Sequence, residues 1–359
     1  IIPEPLGVVL IISPWNYPFN LLFTPLIGAI AAGNCVVLKS SEFAPTTSAI
    51  MKKMIEETFD EKYILFTEGD GATVVPAMMD NFVFDHVFYT GSTAVGKIIY
   101  QSAAKNLVPV TLELGGKSPC IVEEKVDIKV AAKRIALPKF SNAGQMCVAP
   151  DYILVHASQK DALVSELKKV INGFFQGDAA NSYDYGKIIN EKQFDRLVTY
   201  FKDGEIVYGG KTDREKLFIE PTILENININ GAIMKDEIFG PVLPVISFTN
   251  MEEAIAIINK NKNPLAFYVF TSDSEKEKKW LQAVAFGGGC VNNASVHLLN
   301  HNLPFGGRGA SGVGKYHGHF SFDTFSHKKA VIKTPTWIDP YIKYPPYAGR
   351  LSFFKKLIG

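Results

Sequence analysis

Short runs of consecutive β-branched and aliphatic residues alternate along the chain with longer stretches of helical periodicity. Val8-Val9-Leu10-Ile11-Ile12 reads as a strand, and an apolar helix follows from about Leu21 to Ala32, stopped by Gly33-Asn34. The cycle repeats with a strand at Cys35–Leu38, a helix over Thr46–Phe59, strands at Tyr63–Phe66 and Val83–Tyr89, and a helix over Ser92–Ala104. Strands that are apolar throughout, separated by helices, predict a parallel sheet covered on both faces, and so a doubly wound α/β domain. A second alternating block runs from Pro119 to about Ala285. It has strands near Ile121, Tyr152–Val155, Ile206, Phe218, Val245 and Phe267, and helices near Asp161, Glu191, Glu252 and Glu275. From Gly287 onward Gly, Asn, His and Pro accumulate, which predicts functional loops before an extended stretch at Lys328–Lys333.

The 359 residues are 47% hydrophobic and 20% charged, a globular composition long enough for two or three domains. The 37 basic and 36 acidic side chains leave a formal charge of +1, too balanced to hold a polyanion, so no nucleic-acid partner is expected. Cys35, Cys120, Cys147 and Cys290 are spaced like neither a disulfide framework nor a set of metal ligands. That pattern predicts a reducing, cytoplasmic compartment and no metal site. The most apolar window, Phe19–Leu38, is interrupted by Asn20, Thr24, Pro25 and Asn34, and the chain does not open with a secretory signal pattern.

Several segments carry candidate chemistry. Tyr89-Thr90-Gly91-Ser92-Thr93-Ala94-Val95-Gly96 is a strand entering a helix through small residues, which suits a pyrophosphate at the helix N-terminus; a helix merely capped by Ser92 has the same sequence. Lys39 and Glu42 follow the second strand, where they suit ribose hydroxyls or form an exposed i, i+3 ion pair. Cys147 lies in the polar loop Phe140-Ser141-Asn142-Ala143-Gly144-Gln145-Met146-Cys147-Val148, a context for a nucleophile, whereas the other three cysteines fall in apolar strands. Glu113 ends an apolar strand before Gly115-Gly116, where burial would raise its pKa toward a general base's range, or where it simply ends in solvent. Asn16, between prolines and aromatics in Pro14-Trp15-Asn16-Tyr17-Pro18, is either a fixed amide donor for an oxyanion or a turn former. Glu237 and Phe239 sit two residues apart in Lys235-Asp236-Glu237-Ile238-Phe239-Gly240-Pro241.

Taken in order, Pro14–Pro18, Leu38-Lys39-Ser40-Ser41-Glu42, Thr90–Gly96, Glu113–Pro119, Gly144–Pro150, Glu237–Pro241 and Leu303-Pro304-Phe305-Gly306-Gly307 resemble the aldehyde dehydrogenase superfamily over essentially the whole chain. Pro150–Leu154, Tyr316-His317-Gly318, Phe322–His327 and Tyr344-Pro345-Pro346 resemble its class 3 and fatty aldehyde branch. The resemblance implies oxidation of an aldehyde to a carboxylic acid, with hydride transfer to NAD, or NADP, through a cysteine thiohemiacetal and thioester. It implies Cys147 as nucleophile, Asn16 with the Cys147 backbone N–H as oxyanion hole, and Glu113 as the base that activates water. Cofactor contacts are implied at Lys39, Glu42, Gly91, Ser92, Thr93, Gly96, Leu114, Gly115, Glu237 and Phe239, and an apolar substrate entrance around Tyr17, His297 and Phe305.

The implied domains are a cofactor-binding domain at 1–116, a catalytic domain at 117–317, a return segment with a short oligomerisation arm at 318–345, and a basic-apolar tail at 346–359. A homodimer is expected, and the tail Arg350–Gly359 suits weak peripheral membrane contact or packing on a partner. Three positions depart from the branch pattern: Ser40, Met146, and Leu137-Pro138, where the proline is expected to break or kink the helix leading to Cys147. Only 13 residues precede Pro14 where family members usually carry roughly a hundred, so a less stable molecule is expected. Two rival readings are a folded, non-catalytic relative and an acylating enzyme that passes the thioester to coenzyme A, against which the intact Glu113 argues.

Overall fold

The computed structural model describes residues 1–359, which divide into two compact units, Pro5–His327 and a smaller one formed by Ile1–Glu4 with Lys328–Gly359.

The larger unit is built on two sheets. In the first, the strands Ile64–Thr67, Cys35–Lys39, Val8–Ile12, His86–Thr90 and Val110–Glu113 lie side by side in that order, all parallel, and Gly312–Val313 closes the edge antiparallel to Val110–Glu113. Numbered along the chain, the five parallel strands run 3-2-1-4-5, the doubly wound order. Its direction reverses between Val8–Ile12 and His86–Thr90, the crevice in which such sheets bind ligands. Val9, Leu10 and Ile11 are fully buried because helices cover both faces. Pro18–Ala31 follows the first strand with proline at its first turn, and Gly33 ends it in a left-handed conformation (φ +88°). Asn34 then locks the return, accepting from the Gly7 N–H (2.9 Å) and donating to Phe325 O (2.9 Å).

The second sheet has seven strands in the order Gly288–Val291, Ala266–Phe270, Pro119–Val122, Tyr152–His156, Val242–Phe248, Thr222–Glu225 and Glu205–Tyr208, with only the last antiparallel. Its central strands and the helices Ile128–Phe140 and Lys160–Phe174 form one continuous core.

Four sequence expectations are corrected. A helix at Gly71–Asn81, capped by Asp70, occupies a stretch the apolar pattern left unassigned. The fourth strand starts at His86 and not Val83, since Phe82 and Val83 are exposed. Gly288–Val291 is a sheet strand inside the glycine-rich region read as loop, and the extended stretch beyond it covers Ser326–Lys329 and stops before Val331. Pro138 neither breaks nor visibly ends its helix, which continues to Phe140. Its place in the last turn is the reason, because little helix remains beyond the missing hydrogen bond.

In the smaller unit, Lys329 pairs with Glu4, and the segment Tyr341–Lys343 precedes a final helix at Leu351–Ile358.

Candidate active site

Cys147 is delivered by an unusual backbone. The helix Ile128–Phe140 gives way to Asn142 (φ +50°), Ala143 (φ +50°) and Gly144 (φ +74°), three consecutive residues in the left-handed region. Two of them carry a Cβ, a strain of about 1–3 kcal/mol each that the surroundings must hold in place. Gly144 is doubly required, since a Cβ there would lie 2.3 Å from Gly240 O.

Gln145 is what holds the loop. It is buried, and its amide donates to Asn142 O and Lys187 O (both 2.9 Å) while accepting from the Ile189 N–H (3.0 Å). Its backbone carbonyl accepts from the Asn16 amide (3.1 Å), and the Asn142 amide donates to Asn16 O (3.0 Å). Asn16 is thereby tied to the cysteine loop with its amide fixed in direction, and one of its two N–H donors remains for a ligand. The sequence reading missed both Asn142 and Gln145; two amide side chains in the loop that carries the cysteine were the available signal. Gln145→Leu leaves the Lys187 carbonyl and the Ile189 N–H without partners, each costing about 1–3 kcal/mol, while Asn142 O keeps the Gln145 backbone N–H (3.1 Å). We expect a lowered melting temperature and a kcat reduced about tenfold or more through misplacement of Asn16 and Cys147. A lowered melting temperature with unchanged kcat would mean that the clamp only stabilises.

Burial, two carboxyls and two backbone N–H groups act on the Cys147 thiol, which is partly buried and packs against the main core. Desolvation, then the Glu237 and Glu113 carboxyls, push its pKa up to about 12, opposed by the N–H groups of Cys147 and Val148. Those two N–H groups are the donors an oxyanion beside the sulfur would meet. Tyr17 is raised to about 12 by burial and by the neighbouring Cys147. Glu113, at the end of its strand beside Thr90 and Gly312, is buried with neither carboxyl oxygen hydrogen-bonded, and burial holds its pKa well above the usual range. It does not end in solvent.

Glu237 is also raised, by burial and by Asp151, against the Gly116 N–H, Lys117 and Arg196. A Cβ on Gly115 would fall on the Glu237 carboxyl, so glycine at 115 is what admits this side chain. The segment carrying Glu237 is pinned from behind: the buried Lys117 ammonium donates to Asp151 (2.5 Å) and to Ile233 O (2.7 Å), and Asp151 accepts from the Ile238 N–H (2.9 Å). Phe239 is held in the left-handed region (φ +49°) with its ring edge-on to Trp15 at 5.5 Å.

At the crevice of the first sheet, Ser92 caps the helix Thr93–Ala104 by accepting from the Val95 N–H (3.4 Å). The helix's N-terminal N–H groups and positive dipole end open toward the carboxyl ends of the strands, which suits a dinucleotide pyrophosphate. Gly91 allows the Tyr89 hydroxyl to pass beneath it, and Gly96 allows the helix to close on Leu114. Gly96 and Leu114 thus meet each other and serve helix-on-strand packing. Thr93 donates to Ala310 O (3.4 Å). Lys39 and Glu42 pair with each other (3.5 Å), but Lys39 is buried, so this is not a solvated surface pair; the Glu42 carboxyl also accepts from the Gly71 N–H (3.2 Å).

His297 stacks on Phe305 (6.1 Å, 19° between planes), and Phe305 on His317 (4.9 Å, 17°). His297 also neighbours the ring of Tyr268, whose hydroxyl donates to Val148 O (2.6 Å), which links this stack to the cysteine loop. Phe305 is buried within the stack, while His297 is only partly covered.

The sequence pattern described as "Aldehyde dehydrogenase family" matches residues 1–331. The chain belongs to the aldehyde dehydrogenase family. It is an enzyme that oxidises an aldehyde with NAD(P), and its relatives place it in the class 3 branch. It is 49% identical over 354 residues to the 4,4'-diaponeurosporen-aldehyde dehydrogenase of Staphylococcus aureus, covering 98% of this chain and 77% of that protein. It is 46% identical to aldehyde dehydrogenase family 3 member H1 of Arabidopsis thaliana (100% of this chain, 75% of the relative). Identity is also 46% to the dimeric NADP-preferring aldehyde dehydrogenase of Rattus norvegicus (97% and 77%). Among solved structures, the substrate-bound state of Staphylococcus aureus AldH superposes with a TM-score of 0.95 at 48% identity (99% of this chain, 78% of that one). The NAD+ complex of Mycobacterium tuberculosis aldehyde dehydrogenase gives 0.84 at 31% identity (94% and 71%).

Proposed function

We propose that Cys147 is the nucleophile of this aldehyde dehydrogenase, that Asn16 and the Cys147 N–H form its oxyanion hole, and that Glu113 is the base for thioester hydrolysis. The carrying observation is the convergence of Glu113, Glu237 and Tyr17 on one thiol, at the end of a loop whose hydrogen bonds also hold Asn16. The Cys147 thiol gives its proton to solvent, and attack of the thiolate on the aldehyde carbon places negative charge on oxygen, where the amide of Asn16 and the backbone N–H stabilise it. Bound NAD(P) supplies the hydride acceptor. The thioester left on Cys147 is cleaved by a water whose proton passes to the Glu113 carboxylate, and the acid leaves.

The first-sheet part of the chain, 1–116, serves as the cofactor-binding domain and 117–317 as the catalytic domain, with 318–345 as return segment and arm. Gly91, Ser92 and Thr93 hold the pyrophosphate, Lys39 and Glu42 the adenosine ribose, and Glu237 and Phe239 the nicotinamide side; Gly96, Leu114 and Gly115 support them by admitting close packing. Tyr17 and His297 border the aldehyde, with Phe305 behind. The rat relative is a dimeric enzyme by name, which supports a dimer here, and the four free thiols suit a reducing compartment such as the cytoplasm.

NAD and NADP both serve, with NAD preferred, because Glu42 repels a 2′-phosphate while Lys39 offsets part of that repulsion. Measuring NAD(P)H formation from a medium-chain aldehyde with each cofactor, with and without coenzyme A, tests the reading. A strong preference for NADP defeats the charge argument, a requirement for coenzyme A defeats hydrolysis, and no reduction in any arm defeats the assigned site.

A further inference from the structure

The last helix, Leu351–Ile358, is not accounted for by catalysis. At about 100° per residue, Phe353, Leu357, Phe354, Ile358 and Leu351 fall on one arc of about 160°, and Lys355, Ser352 and Lys356 occupy the opposite side. The apolar arc has little cover. Leu351 is 66% exposed, Phe353 44%, Leu357 71% and Ile358 82%. Only Phe354 is partly covered, edge-on to Tyr347 at 5.9 Å.

Charge says what this face fits. From Pro340 to Gly359 there are four basic residues, Lys343, Arg350, Lys355 and Lys356, and no acidic one. Lys343 is taken by Asp339, and the Arg350 guanidinium lies over the Tyr341 ring at 5.0 Å, so Lys355 and Lys356 are the exposed charges that flank the apolar arc. A second copy docking face to face would bring the same cations together, which like-charge repulsion opposes. Eight residues of helix span about 12 Å against a hydrocarbon core of about 30 Å, so the helix cannot cross a bilayer but can lie along it.

We propose that Leu351–Ile358, with Lys355 and Lys356, is an interfacial helix that docks the enzyme on an anionic membrane surface, with Phe353, Leu357 and Ile358 inserted at the headgroup boundary and the lysines on lipid phosphates. The inference is independent of the catalytic assignments.

The test is flotation of the full chain with vesicles of phosphatidylcholine alone or of equal parts phosphatidylcholine and phosphatidylglycerol, at low and high salt. Binding to the anionic vesicles only, weakened by salt, is expected. Each cation near such a surface contributes about fivefold, so reversing both charges in Lys355→Glu/Lys356→Glu should weaken binding more than tenfold. Phe353→Ser/Leu357→Ser should abolish it with kcat unchanged. No flotation with anionic vesicles overturns the proposal, as does binding that ignores both lipid charge and Lys355→Glu/Lys356→Glu. If Phe353→Ser/Leu357→Ser instead splits an oligomer in sedimentation velocity while vesicle binding persists, the face belongs to a second copy and the proposal fails.

Discussion

Cys147→Ser should reduce aldehyde-dependent NAD(P)H formation by about a thousandfold or more, with the melting temperature and nucleotide binding nearly unchanged. The sulfur sits at a site that disfavours the anion: burial and the Glu237 and Glu113 carboxyls push the thiol up to about 12, and only the backbone N–H groups of Cys147 and Val148 act in the other direction. A thiol in that range still yields some thiolate, whereas a serine hydroxyl titrates far higher and is a far weaker nucleophile at the same position. The substitution exchanges one atom and leaves the Gln145 clamp intact, so the fold has no reason to weaken. Cys35→Ser is the control, because that thiol lies on the strand Cys35–Lys39 of the first sheet, outside the cysteine loop and the aromatic stack, and it should leave turnover within a few-fold. Initial rates, differential scanning fluorimetry and a nucleotide-binding titration on the two variants check this. Near-normal turnover in Cys147→Ser would remove Cys147 from the mechanism.

The parts of this fold that were legible in sequence are those where one strand or helix carries its own pattern. Val8–Ile12 and Cys35–Lys39 announce themselves because both sheet faces bury them, and the structure pairs them in parallel register. Gly71–Asn81 escaped because its Pro76 and mixed exposure blur the helical period, and the bounds of Gly288–Val291 because its two glycines merge with the loop-like run around it, although Cys290 itself reads as lying in an apolar strand. For the site, ordered motifs pointed to Cys147, Glu113, Asn16 and Glu237 as a set. What they could not supply was the joinery. Asn142, Ala143 and Gly144 turn left-handed only because Gln145 bonds to Lys187 and Ile189, some forty residues away, and no local pattern encodes a contact across that separation. Lys39 likewise reads as a surface cation, and only the packing around it makes it a buried partner for Glu42.

Glu113→Gln should separate the two halves of the reaction. The carboxyl is enclosed at the sheet edge: its strand is paired on both sides, a Cβ on Gly306 would come within 3.2 Å of Oε1, and neither oxygen has a hydrogen-bond partner. Such a group is not built to bind anything tightly in this state; burial raises its pKa well above the usual carboxylate range, so more of it ionises as the medium becomes more alkaline. Thioester hydrolysis in the parent enzyme should therefore accelerate as pH rises toward the Glu113 pKa, since the fraction of carboxylate able to accept a proton grows with it. Glutamine keeps the shape and cannot accept that proton. The variant should release about one NAD(P)H per active site in a burst and then stall as the acyl-enzyme, with steady-state turnover lower by about 10²–10⁴-fold and no longer rising with pH. Stopped-flow absorbance reads the burst, and intact mass reads the acyl group on Cys147. Glu237 is the competing base, but its carboxyl rests against Gly115, with the Gly116 N–H acting on it, and its segment is pinned through the Lys117–Asp151 pair, which suits holding a cofactor more than moving to meet water. Glu237→Gln should accordingly slow hydride transfer and shrink the burst without trapping an adduct. If the adduct accumulates in Glu237→Gln and not in Glu113→Gln, the roles of the two carboxyls are reversed.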